Sequence, residues 1–506
     1  MKRSRHVILL VVPALVAAIG LYSMRLILPV YVGNNIYGYD PAYVYLLNGV
    51  SIFLGLPPAH IDHPGTPAQV VTAVVAGLWW SLFEQIPGSL LDAAVADPEK
   101  YVRVMGIFFL GCNVVANWFL GHRVSVAAAS LPVGVVAQTG PLFLGLLAPH
   151  LAYLAPEAML LALAMVILGL LSGAMFRPES NGPRLGASLA AGALGGVGLA
   201  TKVTFAPMLA ILFVIPRDRR LLACLLAAFV AVIVSLLPVY DYAGAIVRWF
   251  LALATHKGRY GVGERGIVDV PVIVAQLKKT WEAVPIIYIG LLAAAAASLL
   301  HFGRVSLAVF VAFALTFCLA LKPTQPHYFI SIVPLSAVVL AWLLSAARAG
   351  ARLSSSLTVL AICLGGLWSG VTLHALKAER AARSAEVREL EKIIIRYPGA
   401  RIIGAYPVPE WTYALNFALG YTSFPFRLEA SVKIPSDISY HLGGSLVWVS
   451  AGYGPIRFLT PYLAAGRPIL LVFPSQIPFD RFECEEPVWS SETLHVCRVL
   501  KVLDQE

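Results

Sequence analysis

The chain has 506 residues, of which 59% are hydrophobic and only 13% charged, with a formal net charge of +10 at pH 7. A soluble fold of this length carries about a quarter charged residues, so the composition excludes an ordinary soluble domain. Much of the positive excess sits in short turns between apolar runs, which is the positive-inside pattern of a membrane protein and not a nucleic-acid surface.

Apolar runs of about 17 to 25 residues recur, each long enough to cross about 30 Å of hydrocarbon as a helix. The first, residues 7–30, follows a basic start but is too long for a signal peptide and has no small-residue cleavage site, so it reads as a retained anchor. After it comes GYDPAYVYLLNGVSIFLGLPPAHIDHPGTPAQ, residues 38–69, which holds Asp40, His60, Asp62 and His63 and no Lys or Arg. Two carboxylates and two imidazoles beside a membrane can take a proton from an alcohol or hold a divalent cation, with Asp40, Asp62 and His63 as its ligands. The spacing matches no specific zinc pattern, and a loop that merely joins two spans is the plainer alternative.

Residues 70–83 are apolar but short, and a polar stretch follows to Lys100, so this segment is expected to enter the membrane surface and return. Further spans are expected at 102–121, 124–147, 156–176, 185–200, 203–215, 221–240, 284–301, 305–321, 329–345 and 357–375, although 203–215 is shorter than a crossing normally requires. With the first, that makes about eleven. Alternation from an inside N-terminus puts Lys2, Arg3, Arg5, Arg123, Arg177, Arg184, Arg217, Arg219, Arg220, Arg304, Arg348 and Arg352 on the cytoplasmic side and the C-terminus outside.

From Glu379 the composition changes. Charges recur at helical spacing through Arg396, and short apolar runs at 401–405, 445–450, 468–473 and 494–503 then alternate with Pro- and Gly-rich turns. The expected organisation is therefore a membrane domain over 1–376, with outer loops 31–101 and 241–283, and a small extracytoplasmic α/β domain over 377–506. Cys112, Cys224, Cys318 and Cys363 lie in apolar spans, whereas Cys484 and Cys497 lie in the tail and can pair in an oxidising compartment.

On the outer side the span ends supply a second polar group: Arg103; His150, Tyr153 and Glu157; Lys202 in GLATKVTFAP; and Lys322, Gln325, His327 and Tyr328 in LALKPTQPHYF. The 241–283 loop adds His256, Lys257 and Arg259 and reads either as a lid or as a basic loop on lipid head groups. A lysine at a span end usually only snorkels, but cations converging around an acidic loop make a pocket for an anionic head group. Two glycine motifs are set aside. G-x-G-x-x-G at 261–266 has no preceding strand, and GVGLATK at 196–202 has Thr201 where a phosphate loop needs Gly.

These residues carry a family resemblance. The chain resembles the C-type integral-membrane glycosyltransferases that use polyprenyl-phosphate sugars, in the branch with the protein O-mannosyltransferases, the aminoarabinose lipid A transferases and the rhizobial lipopolysaccharide galacturonosyltransferases. Asp40, residues 63–67, residues 198–202, and Lys322 with His327 and Tyr328 follow the family's order over about the first 350 residues. The chain departs from the family pattern at Pro41, where Glu is common, and at Pro64-Gly65-Thr66, where Pro-Pro-Leu is common.

The resemblance implies an inverting transfer on the outer face of the inner membrane. The donor would be a polyprenyl-phosphate sugar, and the acceptor a hydroxyl of an envelope glycan, lipid or protein. The residues permit a mechanism for it, with Asp40 as base and Asp62, His63 and Glu157 orienting the acceptor or holding a metal; the plainer alternative for Asp40 is a helix cap. The donor phosphate falls to Arg103, Lys202, His256, Lys257, Arg259 and Lys322 with His327 and Tyr328. A transporter or flippase for a lipid-linked sugar is the main rival, and a non-catalytic assembly partner the second. The first predicts ionisable residues at mid-span and related halves, whereas here most ionisable residues sit at span ends and no half repeats.

Overall fold

Long apolar stretches in lipid must satisfy their backbone internally, and the chain does so almost entirely with helices. A computed structural model describes residues 7–28, 41–61, 65–84, 88–177, 182–258, 261, 263–300, 303–347 and 350–396. In the tail it describes 401–404, 418, 422, 469–474, 482–484, 489–490 and 494–502. Asp40, Asp62, His63, Arg259 and the 445–450 run lie outside the described residues.

Among the described residues seven helices are long and apolar enough to cross a membrane: Thr66–Phe83, Pro98–Ala127, Pro156–Phe176, Arg219–Thr255, Arg304–Leu321, Pro326–Ala346 and Arg352–Glu386. Two bent pairs raise the number to nine if each is one span: Leu131–Phe143 with Gly145–Leu151, bent by 98°, and Val270–Ala283 with Ile286–Leu299, bent by 96°. Shorter apolar helices are Val11–Ile27, Ala42–Phe53, Leu185–Thr201 and Val203–Val214. The protein is a multi-pass integral membrane protein.

Three segments differ in detail from the runs read off the sequence. The 70–83 run is part of an 18-residue helix that starts at Thr66, with Pro67 in its first turn where a missing N–H costs nothing. The 124–147 run breaks after Ala127, because Pro132, Pro141 and the positive-φ Gly145 turn it into a short α-helix and two 3-10 turns. The 203–215 run is a short α-turn between 3-10 turns at Val203–Phe205 and Ala210–Val214. A hydropathy pattern does not distinguish such turns from a straight helix.

The chain divides into two compact units. The first comprises residues 1–24, 61–71 and 105–374. Its core is crossed by buried amides: Asn117 donates to the Gln138 carbonyl (2.8 Å), and Gln138 donates to the carbonyls of Leu9 (3.0 Å) and Asn117 (3.2 Å). Leu185–Thr201 and Arg219–Leu236 pack face to face. A Cβ on Gly192 would collide with the Cys224 carbonyl and one on Gly196 with the Ala228 carbonyl, so the two helices run parallel with backbones in close approach.

The second unit comprises residues 25–60, 72–104 and 375–506. Here the Tyr43 hydroxyl donates to Glu99 (2.7 Å), Lys100 pairs with Glu84 (2.7 Å), and Arg380 caps the first helix through the carbonyls of Arg25 and Leu28. Its tail carries five strands: β1 Arg401–Gly404, β2 Ile469–Pro474, β3 Phe482–Cys484, β4 Trp489–Ser490 and β5 Leu494–Val502. Strand β1 pairs in parallel with β2 (Ile402 opposite Leu470), and β2 pairs antiparallel with β5 (Leu471 opposite Cys497). Strands β3 and β4 share the other edge of β5. Cys497 is disulfide-bonded, and Cys484 stands opposite Val499 in the ladder, while Cys112, Cys224, Cys318 and Cys363 are free thiols.

The glycine contact gives a direct check. Gly196→Val should overpack the helix pair and cost about 2 kcal/mol or more, seen as a lower thermal midpoint in detergent, whereas Gly173→Ala, with nothing within 4 Å of the added carbon, should not.

Candidate functional site

Three chain turns at helix ends build one buried polar cluster in the first unit. The first begins at the 3-10 turn Gly145–Leu151, which delivers a buried His150, and ends at the helix Pro156–Phe176, with Pro156 at its start and Glu157 in its first turn. A carboxylate there sits at the positive end of the helix dipole. The Asn113 amide holds this corner by donating to the carbonyls of Leu151 (3.2 Å) and Ala158 (3.1 Å).

The second turn ends the helix Leu185–Thr201. Lys202 is extended, its N–H closes on the Gly198 carbonyl, and its own carbonyl accepts from Phe205, so the chain turns inward with the lysine instead of snorkelling. The third is the loop 322–325 leading into the 3-10 helix Pro326–Ile332, which carries His327 and Tyr328. Lys279 donates to Gln325 (3.0 Å), and the Gln276 side-chain oxygen accepts from the Thr324 N–H and hydroxyl (3.3 Å each), which anchors this loop on Val270–Ala283.

The three turns meet at Lys202. Its Nζ lies 2.5 Å from Glu157 Oε1, and the side chains are 6% and 3% exposed. His327 Nε2 approaches the same oxygen at 3.8 Å and is 22% exposed, on the open side of the pair. The Tyr328 ring centroid is 4.4 Å from Nζ, within cation–π range. His150 stacks obliquely on His327 at 5.5 Å and edge-on against Tyr153 at 6.0 Å. A lysine, a carboxylate, two imidazoles and a phenol therefore share one desolvated spot. Such a group can receive an anion at the lysine and redistribute charge through glutamate and histidine.

The end of the first loop reaches the same place. The Gly65 N–H donates to the Thr201 carbonyl at 3.1 Å, next to Lys202, from a backbone with φ +56° that favours glycine. Thr66 and Gln69 just beyond it are fully buried. Sequence reasoning matched both motifs separately but missed this link, because a backbone hydrogen bond leaves no residue signature. The buried Asn113, Asn117 and Gln138 were also missed, although amides inside apolar runs are the available signal.

Lys322, His256 and Lys257, also expected at the site, make other contacts in the first unit. Lys322 donates to the carbonyls of Leu253, Ala254 (3.1 Å) and His256 (2.8 Å), so its three N–H groups close the C-terminus of Ala243–Thr255, and burial pulls its ammonium below the ordinary lysine pKa. His256 and Lys257 sit on the loop beyond that helix. The loop folds back through Gly266 N–H to Thr255 (2.8 Å) and Lys257 N–H to Glu264 (2.9 Å), with an exposed ion pair between the last two side chains at 3.3 Å. Arg103 is exposed in the second unit. Among the described residues no group of three His, Cys, Asp or Glu side chains is gathered for a metal.

This helical architecture is shared, over nearly the whole of both chains, with solved structures of one other protein. The chain is similar to ArnT from Cupriavidus metallidurans bound to undecaprenyl phosphate, with 12% identity, 97% of this chain and 99% of that chain covered, and a TM-score of 0.52. It is similar to the apo state of the same protein at 13% identity, over 92% and 94% of the two chains, with a TM-score of 0.51. At this identity the likeness is one of fold. No family model and no curated protein matches the sequence.

The ion pair is testable by itself. Glu157→Gln should leave Lys202 buried without its carboxylate and cost about 3–5 kcal/mol, read as a drop in thermal midpoint, and adding Lys202→Met should restore much of it. Lys322→Met should speed hydrogen exchange across 253–266 and leave the 156–165 amides unchanged, since the lysine closes only the former segment.

Proposed function

We propose that the protein is an inverting glycosyltransferase. It moves a sugar from a polyprenyl-phosphate donor to a hydroxyl of an envelope glycan, lipid or protein on the extracytoplasmic face of the inner membrane. The observation that carries this reading is Lys202, buried against Glu157, His327 and Tyr328, in a chain with the fold of a protein crystallised with undecaprenyl phosphate. In this reading the donor phosphate docks on Lys202, whose charge is already desolvated and held in place. Charge develops on that phosphate as the sugar bond breaks, and a fixed cation in a low-dielectric site lowers the barrier. Glu157 holds the ammonium in position before the donor arrives, and His327 flanks the pair on its open side.

Asp40 takes the acceptor proton as the hydroxyl attacks from the opposite face, with Asp62 and His63 orienting the acceptor. The tether from Gly65 to Thr201 supports this division, because it holds the end of the loop that carries Asp62 and His63 beside the Lys202 turn. The lid residues His256, Lys257 and Arg259 close over the head group on the segment that Lys322 fastens, and Arg103 adds positive charge from the start of its span. If a divalent cation takes part, Asp40, Asp62 and His63 are its ligands, and no step above runs through it. The N-terminus is cytoplasmic, and residues 377–506 form an extracytoplasmic α/β domain.

Envelope glycolipids and glycoproteins from cells with and without the protein, compared by mass spectrometry, should differ by one sugar. With that sugar's lipid-phosphate donor in hand, Asp40→Asn should abolish transfer at normal expression. Lys202→Ala should raise the donor KM by about tenfold or more, the scale of a lost charge-assisted contact. An unchanged donor dependence in Lys202→Ala contradicts the assignment of the phosphate.

A further inference from the structure

Away from this site, the parallel helices Leu185–Thr201 and Arg219–Leu236 begin side by side at a cavity of about 430 Å³. Arg184, Arg219 and Arg220 line it with Asp218, together with Pro183 and Leu185. The Arg220 guanidinium binds the Asp218 carboxylate at 2.6 Å and reaches the Pro183 carbonyl at 3.4 Å, so it ties the two turns together. Three guanidiniums against one carboxylate leave an excess of two positive charges on an open concave surface.

Below the arginines both helices present apolar side chains outward. Leu222, Leu226, Phe229 and Ile233 follow Arg219 at helical spacing and are 61%, 55%, 64% and 48% exposed. Leu185 and Leu189 form a shorter stripe below Arg184 and are 44% and 41% exposed. From Arg219 to Ile233 the stripe runs about 21 Å down the helix, about the length of an extended acyl chain. The polar end therefore suits a phosphate and the face beneath it suits hydrocarbon. A small soluble anion would use the first and leave the second idle.

We propose that this arginine-lined cavity binds the phosphodiester head group of an anionic glycerophospholipid, whose acyl chains lie along the Leu222–Ile233 and Leu185–Leu189 stripes. Arg184 and Arg219 hold the phosphate, and Arg220 keeps the two turns together. The site is independent of the Lys202 cluster and makes no use of the proposed transfer reaction.

The test uses the full chain in mild detergent, titrated with phosphatidylglycerol, phosphatidylcholine or inorganic phosphate, and read by native mass spectrometry and thermal midpoint. Phosphatidylglycerol should bind and raise the midpoint, while phosphatidylcholine and inorganic phosphate at the same concentration should not. Arg184→Gln with Arg219→Gln should weaken phosphatidylglycerol binding about tenfold or more, the scale for two cations near a membrane surface. Arg217→Gln, exposed and outside the cavity lining, should leave binding unchanged. If the double variant does not fold, Arg184→Gln alone, which leaves the Arg220–Asp218 pair intact, should still weaken binding about threefold. Equal stabilisation by phosphatidylcholine or by inorganic phosphate would overturn the proposal, as would an Arg217→Gln loss as large as that of the cavity variants.

Discussion

A charge deep inside a membrane protein stays charged only while a partner faces it, and here Lys202 and Glu157 impose that condition on three separate parts of the chain. Each part arrives through a tight turn: Gly145–Leu151 before Glu157, Val203–Phe205 after Lys202, and Pro326–Ile332 around His327. Irregular backbone that carries such charges is tolerated only where protein covers it and satisfies its polar groups. The amides of Asn113 and Asn117 supply part of that cover by bonding the carbonyls of Leu151 and Gln138, where two short helices end. The local breaks and the buried charges thus depend on one another: without the turns the cluster does not assemble, and without paired charges the turns enclose an uncompensated ion.

The cations of this chain sort by what already holds them. Lys322 gives all three of its N–H groups to a helix end, which makes it a fastener of the 256–266 loop. Arg380 does the same for the first helix. Lys202 has a carboxylate, a phenol ring and a histidine around it, an environment in which a phosphate can replace part of the existing charge balance. Arg184 and Arg219 stand with Arg220 over a single aspartate and so keep an open demand for negative charge. One residue class therefore serves as strut, as proposed chemical group and as proposed lipid anchor, and the difference lies in its neighbours.

Much of the helical plan was legible because apolar length is a strong signal: the expected 156–176 span is the helix Pro156–Phe176, and the charged periodicity to Arg396 is the end of a 46-residue helix from Ala351. Three apolar runs in the tail matched β1, β2 and β5, but their parallel and antiparallel pairing is set by long-range register that no local pattern carries. In the site, Glu157, Lys202, His327 and Tyr328 were all flagged as polar residues at span ends. That Glu157 faces Lys202 was not legible, since 45 residues separate them and the contact depends on where two turns happen to point. Lys322 showed the opposite limit. Its sequence context is that of an anion ligand, and only the geometry reveals the carbonyls it serves.

The most direct measurement of the central claim is an experimental structure of the full chain with undecaprenyl phosphate added. Phosphate density is expected within about 3 Å of Lys202 Nζ, bordered by His327 and Tyr328, with Glu157 still beside the ammonium. Phosphate density seated elsewhere, with the Lys202–Glu157 pair closed and shielded from it, would contradict the account.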